Sequence, residues 1–375
     1  MMSVQKILRE LVAVPSISSA SNGPMIERIL QFFEPLGWHH RILRYQDAAG
    51  VKKLNLIVSP QPLSEGTIVA ELAIICHTDT VPYSAEWPEA TTLIERDGML
   101  HGCGSCDVKG FLSCMIAAAL HLNAARLSKQ LCMVFTSDEE IGCHGARFLV
   151  GQKALKPRYA IVGEPTSLVP SRAGKGYCLA AVSVQGKAAH SAYPNVGHSA
   201  IFAAAKLITE IERLGKELAT HRNDAFDPPH TTLNIGKIEG GSAKNIVPAE
   251  CSFLVEWRPI PNQPLQFVAD KLEQLATRFS TDHIEIDVDI QRMDPGFETP
   301  NESPVIQSLL GDSRTSVQTI AFGTEAPWLT RMGAEAVVIG PGSMLTAHSS
   351  RECVPIKELD DCVHMLLTAI ERLCT

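Results

Sequence analysis

The chain has 375 residues, 45% of them hydrophobic and 20% charged, with 33 Lys and Arg against 41 Asp and Glu and a formal net charge of −8. That length exceeds one ordinary core and implies two or three domains of about 100–200 residues each. The acidic balance argues against a nucleic-acid partner, because a phosphate-backbone binder needs a basic surplus.

The first stretch places Val4, Ile7, Leu8, Leu11 and Val12 at helical spacing around Lys6, Arg9 and Glu10. This predicts an amphipathic helix and no secretory leader. No run approaches the roughly 18–20 apolar residues of a bilayer span, so no membrane partner is expected. The apolar runs at residues 54–58, 72–76, 131–135, 159–162 and 336–339 read as buried parallel strands. Helical patterns at 25–33 and 109–122 lie between them. The expected fold class is α/β, a mostly parallel sheet with helices on both faces. Asp97-Gly98, between residues 91–95 and 99–101, predicts a hairpin. Eleven cysteines do not form a disulfide framework on this reading, because the count is odd and Cys76, Cys114 and Cys132 sit inside apolar runs. Reduced thiols and a cytoplasmic location are expected.

From about Lys175 the pattern changes. Strands are expected at 176–185, 232–238, 251–257 and 283–290, with helices at 199–218 and 266–279. In the first helix Ile201, Ala205, Ile208, Ile211 and Leu214 are in phase. Strand–helix–strand–strand–helix–strand is the order of a ferredoxin-like α+β sandwich. The expected organisation is one discontinuous domain, 1–174 and 292–375, interrupted by an inserted domain at 175–291.

The acidic and imidazole side chains cluster at strand ends. Residues 72–76 run into His77-Thr78-Asp79, and 131–135 into Asp138-Glu139-Glu140. Residues 159–162 precede Glu164, and 336–339 precede a Gly-Pro-Gly loop reaching His348. The carboxyl ends of parallel strands line one crevice, where ligands bind in open α/β sheets. Imidazoles and carboxylates without clustered thiolates suit zinc, manganese or cobalt. Asp107, at a Gly-rich entry to an apolar helix, offers another carboxylate, whose ordinary role would be an N-cap. Glu139 and Glu140 are adjacent and point apart, so one can bind metal while the other stays free as a base.

These segments, with HTDTVP at 77–82, TSDEEIG at 136–142, GEPTS at 163–167, GKAAHSAYPNVGHSAI at 186–201 and the final GPG…AH, resemble the co-catalytic zinc amidohydrolases of the aminoacylase and carboxypeptidase G2 type. Within these the chain is most similar to the acetylornithine deacetylases and succinyl-diaminopimelate desuccinylases, over essentially its whole length. The resemblance implies two Zn²⁺ ions, with Co²⁺ as a possible substitute, bridged by Asp107. One would also be held by His77 and Glu164, the other by Glu140 and His348. Glu139 would be the general base, and Asp79 would orient His77. The Asp107–Val108 peptide would be cis. The inserted domain would serve as lid and homodimer interface. It would bring His190 to the site as an oxyanion donor, from the partner subunit or by closure. Arg258 would clamp a substrate carboxylate, and Lys175, Asn245, Gly323, Thr324 and Glu325 would complete the substrate contacts, Glu325 meeting an ammonium.

The implied reaction is hydrolysis of an Nα-acyl-L-amino acid, with acetylornithine favoured by the GEPTSL and Phe322–Trp328 segments. Acetylcitrulline, a succinyl substrate or a dipeptide stand as alternatives. Two positions depart from the relatives. Met344 replaces a polar Asn, and Cys103 opens a Cys-x-x-Cys with Cys106 that lacks any zinc-finger or redox context. A non-catalytic metal-stabilised binding protein is the contrasting class, and it would be expected to have lost a ligand or Glu139. A nucleotide-binding fold is excluded by the absence of a glycine-rich phosphate motif after any strand.

Overall fold

A computed structural model describes residues 2–310 and 316–375. The chain opens with α1 (Val4–Val12), where Ser3 caps the first turn and the five predicted apolar residues are buried. Helix α2 (Gly23–Phe33) follows, then β1 (His39–Gln46), β2 (Lys52–Ser59) and β3 (Ile68–His77). The predicted hairpin pairs Ile94–Arg96 with Met99–His101 around Asp97-Gly98. Helix α3 (Lys109–His121) is apolar on nearly every side and buried along almost its whole length. Next come β4 (Leu131–Thr136), α4 (His144–Gly151) and β5 (Leu155–Gly163). The middle of the chain forms β6 (Tyr177–Gln185), α5 (Ala200–Leu218), β7 (Thr232–Gly240), β8 (Glu250–Arg258), α6 (Phe267–Phe279) and β9 (Glu285–Asp294). It ends with α7 (Ala326–Arg331), β10 (Glu335–Ile339) and α8 (Ile356–Cys374).

Two compact units result. One comprises Met1–Arg172, Thr299–Gln318 and Thr324–Thr375, the other Ala173–Glu298 and Thr319–Gly323. The second is wider than residues 175–291, because Phe297–Glu298 pairs with Ala173–Gly174 and closes the excursion on itself.

The first unit holds a mixed sheet in the order β1-β2-β4-β3-β5-β10. Only its centre is parallel: β4 with β3, β3 with β5, β5 with β10. Here one expectation is corrected. Residues 54–58 lie in an antiparallel strand, paired with β1 on one side and β4 on the other. The edge strand β1 was not anticipated, because most of its length is half-exposed or exposed and it lacks an apolar run. One face packs Leu72, Ile74, Cys76, Met133 and Phe135 with residues of α1, α2, α3 and α8. Alternation turns Ile75, His77 and Thr136 to the opposite face, on the side of α4 and α7.

The second unit is a four-stranded antiparallel sheet, ordered β7-β8-β6-β9. That is the ferredoxin-like arrangement. Its core joins Ala180, Val182, Phe253, Val255 and Trp257 to α5 and α6. The buried stripe of α5 is Ala200, Ala204, Leu207, Ile211, Leu214 and Leu218. It is rotated from the predicted phase, so Ile201 and Phe202 face outward.

Candidate active site

Each central strand delivers its site residue from its carboxyl end. β3 ends on His77, the turn after β4 carries Glu139 and Glu140, and Glu164 follows β5. After β10 the chain turns through Gly342, where φ is +86° and an added Cβ would lie 2.5 Å from Cys106 Sγ, before reaching His348. Asp107 precedes α3, and the Asp107–Val108 peptide bond is cis. The helix begins after Val108 without a side-chain cap, so the Asp107 carboxylate does not serve as N-cap.

That carboxylate lies between two imidazoles. Its Oδ1 is 3.2 Å from His77 Nε2 and its Oδ2 is 3.1 Å from His348 Nε2. His348 Nε2 is also 3.1 Å from Glu140 Oε2. Donor atoms of His77, Glu139 and Glu164 lie within 4.8 Å of one another, as do those of Asp107, Glu140 and His348. His77 Nδ1 sits 3.0 Å from the Asp79 carbonyl, to which it must donate, and this leaves the Nε2 lone pair facing the cluster. The Asp79 carboxylate accepts from Ser18 Oγ at 2.7 Å and from the backbone amides of Glu139 and Glu140 at 3.1 and 3.3 Å.

The electrostatics of this group are those of a cation site. Burial, reinforced by Glu140 and Asp107 and partly offset by His77, pushes the Glu139 carboxyl up to about 8. Burial with the charges of Asp107 and Glu139 raises Glu164 well above its ordinary value, and burial also raises Glu140. Hydrogen bonds to Asp107 and Glu140 lift His348 to about 10. For His77, burial acts downward but Asp107 and Asp79 outweigh it, and the imidazole is held well above its usual range. Glu140 Oε1 is buried without a hydrogen-bond partner among the described residues. Four carboxylates and two imidazoles at such spacing fit two divalent ions of borderline hardness.

Two supports were not foreseen. Glu352, buried, accepts from the backbone amides of Gly104, Cys106 and Asp107 at 3.0, 3.0 and 2.9 Å, and so shapes the turn that presents Asp107. Lys53, buried in β2, pairs with Asp138 at 2.7 Å. An isolated acid near a chain turn and a lysine in an apolar strand carry no spacing signal that would mark either.

Among the expected substrate contacts, Thr324 and Glu325 belong to the first unit. Thr324 Oγ1 accepts from Ala326 N at 3.1 Å. Glu325 is 1% exposed, and neither carboxylate oxygen has a hydrogen-bond partner among the described residues. Burial pushes its carboxyl up to about 7. His77 and the nearby Thr136 hydroxyl partly offset that rise, and Thr136 Oγ1 also donates to the Cys76 carbonyl.

The others lie in the second unit. His190 is exposed, and its Nδ1 accepts from Ala192 N at 3.1 Å, which places the ring proton on Nε2. Asn245 is exposed and its carbonyl accepts from Ser191 N at 2.9 Å. Gly323 is exposed with open space around its Cα. Arg258 stacks on Tyr177 and gives its Nε to Glu256 at 2.9 Å and Nη1 to the Ala321 carbonyl at 2.7 Å. The Lys175 ammonium donates to the carbonyls of Pro228 and His230, both at 2.7 Å, and so pins that loop.

Residues 73–372 match the model of peptidase family M20/M25/M40. The chain belongs to this family. It is accordingly a metal-dependent amidohydrolase with two candidate metal clusters. The chain is 42% identical over 375 residues to an acetylornithine deacetylase of Myxococcus xanthus, covering 99% of this chain and 98% of that one. It is 34% identical to an acetylornithine deacetylase of Proteus mirabilis (strain HI4320), covering 98% and 96%. Among solved M20-like folds, aminopeptidase PepT of Bacillus cereus superposes with a TM-score of 0.76 at 23% identity, covering 99% and 98%. A dinuclear metal-binding M20 peptidase of Bacillus subtilis gives 0.69 at 14% identity, covering 98% and 96%.

Proposed function

We propose that the protein removes the acetyl group of Nα-acetyl-L-ornithine, releasing ornithine and acetate in the cytoplasm as a step of arginine biosynthesis. The observation that carries this reading is the full-length 42% identity to a deacetylase of that name. It stands beside a donor set in which no expected ligand is missing.

His77 and Glu164 would hold one zinc ion and Glu140 and His348 the other, with Asp107 between them and cobalt as a possible substitute. When bound, the pair polarises the amide carbonyl and acidifies the attacking water. Glu139 takes the proton of that water on its carboxylate and delivers it to the departing amine nitrogen. Its burial suits this work, since a carboxylate with raised pKa is the stronger base. Asp79 keeps the His77 ring in one tautomer and at the same time holds the Glu139 and Glu140 amides.

His190, with its proton fixed on Nε2, donates to the oxygen that becomes anionic. Arg258 receives the substrate α-carboxylate on the N–H edge of its guanidinium. Glu325, a buried carboxyl, receives the side-chain ammonium, while Asn245, Gly323 and Thr324 frame the remaining contacts. A homodimer forms through the second unit, where Tyr193, Val196, Ile201, Phe202 and Ile246 leave an apolar surface exposed.

Turnover of acetylornithine, acetylcitrulline, succinyl-diaminopimelate and simple dipeptides by the zinc- or cobalt-loaded protein tests the substrate. The highest kcat/KM is expected for acetylornithine. A preference for the succinyl substrate would refute the acetyl assignment, and inertness towards all four would refute the proposed reaction.

A further inference from the structure

The turn that carries Glu139 and Glu140 is held from outside the metal cluster, by the antiparallel hairpin β1–β2. We propose that Lys53 is a positioning residue for this turn, fixing it through Asp138 on one side and through Ser18 and Asp79 on the other. The inference rests on the reading of Glu139 as base and Glu140 as ligand.

Lys53 is 1% exposed, and its three N–H groups have three acceptors: the carbonyls of Ser18 and Ala20, the latter at 2.9 Å, and Asp138 Oδ1 at 2.7 Å. Burying an ammonium is expensive, and an apolar side chain at this site would fill the same space at lower cost. Simple packing therefore does not account for the lysine.

What the ammonium joins does. Asp138 has a left-handed φ of 58° and immediately precedes Glu139. Its second oxygen accepts from Tyr45 OH at 2.8 Å, and Tyr45 is the cross-strand neighbour of Lys53. Two residues along the same face of β2, Asn55 grips the rest of the turn. Its Nδ2 donates to the Gly145 carbonyl at 2.9 Å and its Oδ1 accepts from Ser137 N at 3.2 Å.

On the other side the Ser18 hydroxyl donates to Asp79, whose carboxylate accepts the amides of Glu139 and Glu140. The links form a closed ring from Lys53 through Ser18, Asp79, the Glu139–Glu140 amides and Asp138 back to Lys53. One buried cation thus sets where both glutamates leave the backbone, without touching either.

The test compares Lys53→Met with Lys53→Met/Asp138→Asn in the full-length protein. The single variant should lose about 30–100-fold in kcat with KM within about threefold, the pattern of a base and ligand displaced by a fraction of an ångström. Its cobalt-loaded form should show altered visible absorption bands as Glu140 shifts. Neutralising Asp138 as well should return the melting temperature toward wild type while kcat stays low.

A kcat for Lys53→Met within about twofold of wild type, or recovery of kcat and melting temperature together in the double variant, would overturn the proposal. Where Lys53→Met does not fold, Asp138→Asn keeps the ammonium and removes the charge through which it holds the turn. It should lower kcat about threefold to tenfold, and an unchanged kcat refutes the proposal. Glu139→Gln assayed alongside separates the two readings. An active Glu139→Gln refutes the base itself, whereas an inactive one beside a fully active Lys53→Met refutes only the positioning role.

Discussion

Single atoms decide most of the proposed chemistry. The Ala192 amide, by donating to His190 Nδ1, commits the opposite nitrogen to carrying the proton. We therefore expect His190→Ala to lower kcat by about 10²–10³ with a smaller change in KM, as for other lost oxyanion donors, and steady-state kinetics would show it. An equal loss confined to KM would make His190 a binding residue. Arg258 is held by Glu256, Ala321 and Tyr177 in a planar fork that an ammonium cannot reproduce. Arg258→Lys should accordingly raise KM about tenfold or more while leaving kcat within a few-fold. An unchanged KM would remove it from the carboxylate clamp.

At the scale of elements, the site is a set of strand-end turns, each braced by a buried side chain from elsewhere in the sequence. Glu352 is the brace for the Asp107 turn. Glu352→Ala would leave three buried amides without an acceptor, and a loss of roughly 2–4 kcal/mol in unfolding free energy is expected. Weaker binding of both metal equivalents should accompany it, because Asp107 lies between the clusters. Denaturant melts and metal titration check the two effects separately.

His77, Glu140, Glu164 and His348, the candidate ligands other than Asp107, were legible in the sequence because each comes after an apolar strand, and donor atoms of all four fall in the two clusters. The two-strand edge was less so. Leu56, Ile57 and Val58 are buried like central-strand residues, yet β2 runs antiparallel, and strand direction leaves no mark on hydrophobic pattern. Helix α5 shows the same limit in milder form, since a run rich in apolar residues on several faces does not fix which face the sheet takes. The braces Glu352 and Lys53 were illegible because their partners are backbone atoms and a residue 85 positions away.

For the whole molecule, the acidic surplus now has a location, and it sets the response to pH. Burial pushes Glu139 up to about 8 and Glu325 and Glu352 each to about 7, against an ordinary value of 4.5. These groups bind protons more tightly folded than unfolded, so their contribution is fullest below pH 4.5 and is lost as pH rises through 7 to 8. The chelator-treated protein should melt roughly 5 °C or more lower at pH 8.5 than at pH 5.5, and metal loading should flatten the difference. A chelated protein that gains stability over that range would contradict the assignment.

The proposed dimer is tested by mixing inactive His190→Ala with inactive Glu139→Gln subunits. Partial activity is expected if His190 serves the partner's site, and exchanged but inactive mixtures would place it in its own. The central claim, hydrolysis with a free glutamate beside two metal ions, is met most directly by Glu139→Gln assayed for acetylornithine turnover and metal content on the same sample. Two metal equivalents are expected with turnover lowered by about 10²–10⁴. Loss of one equivalent, or turnover near wild type, would contradict the claim.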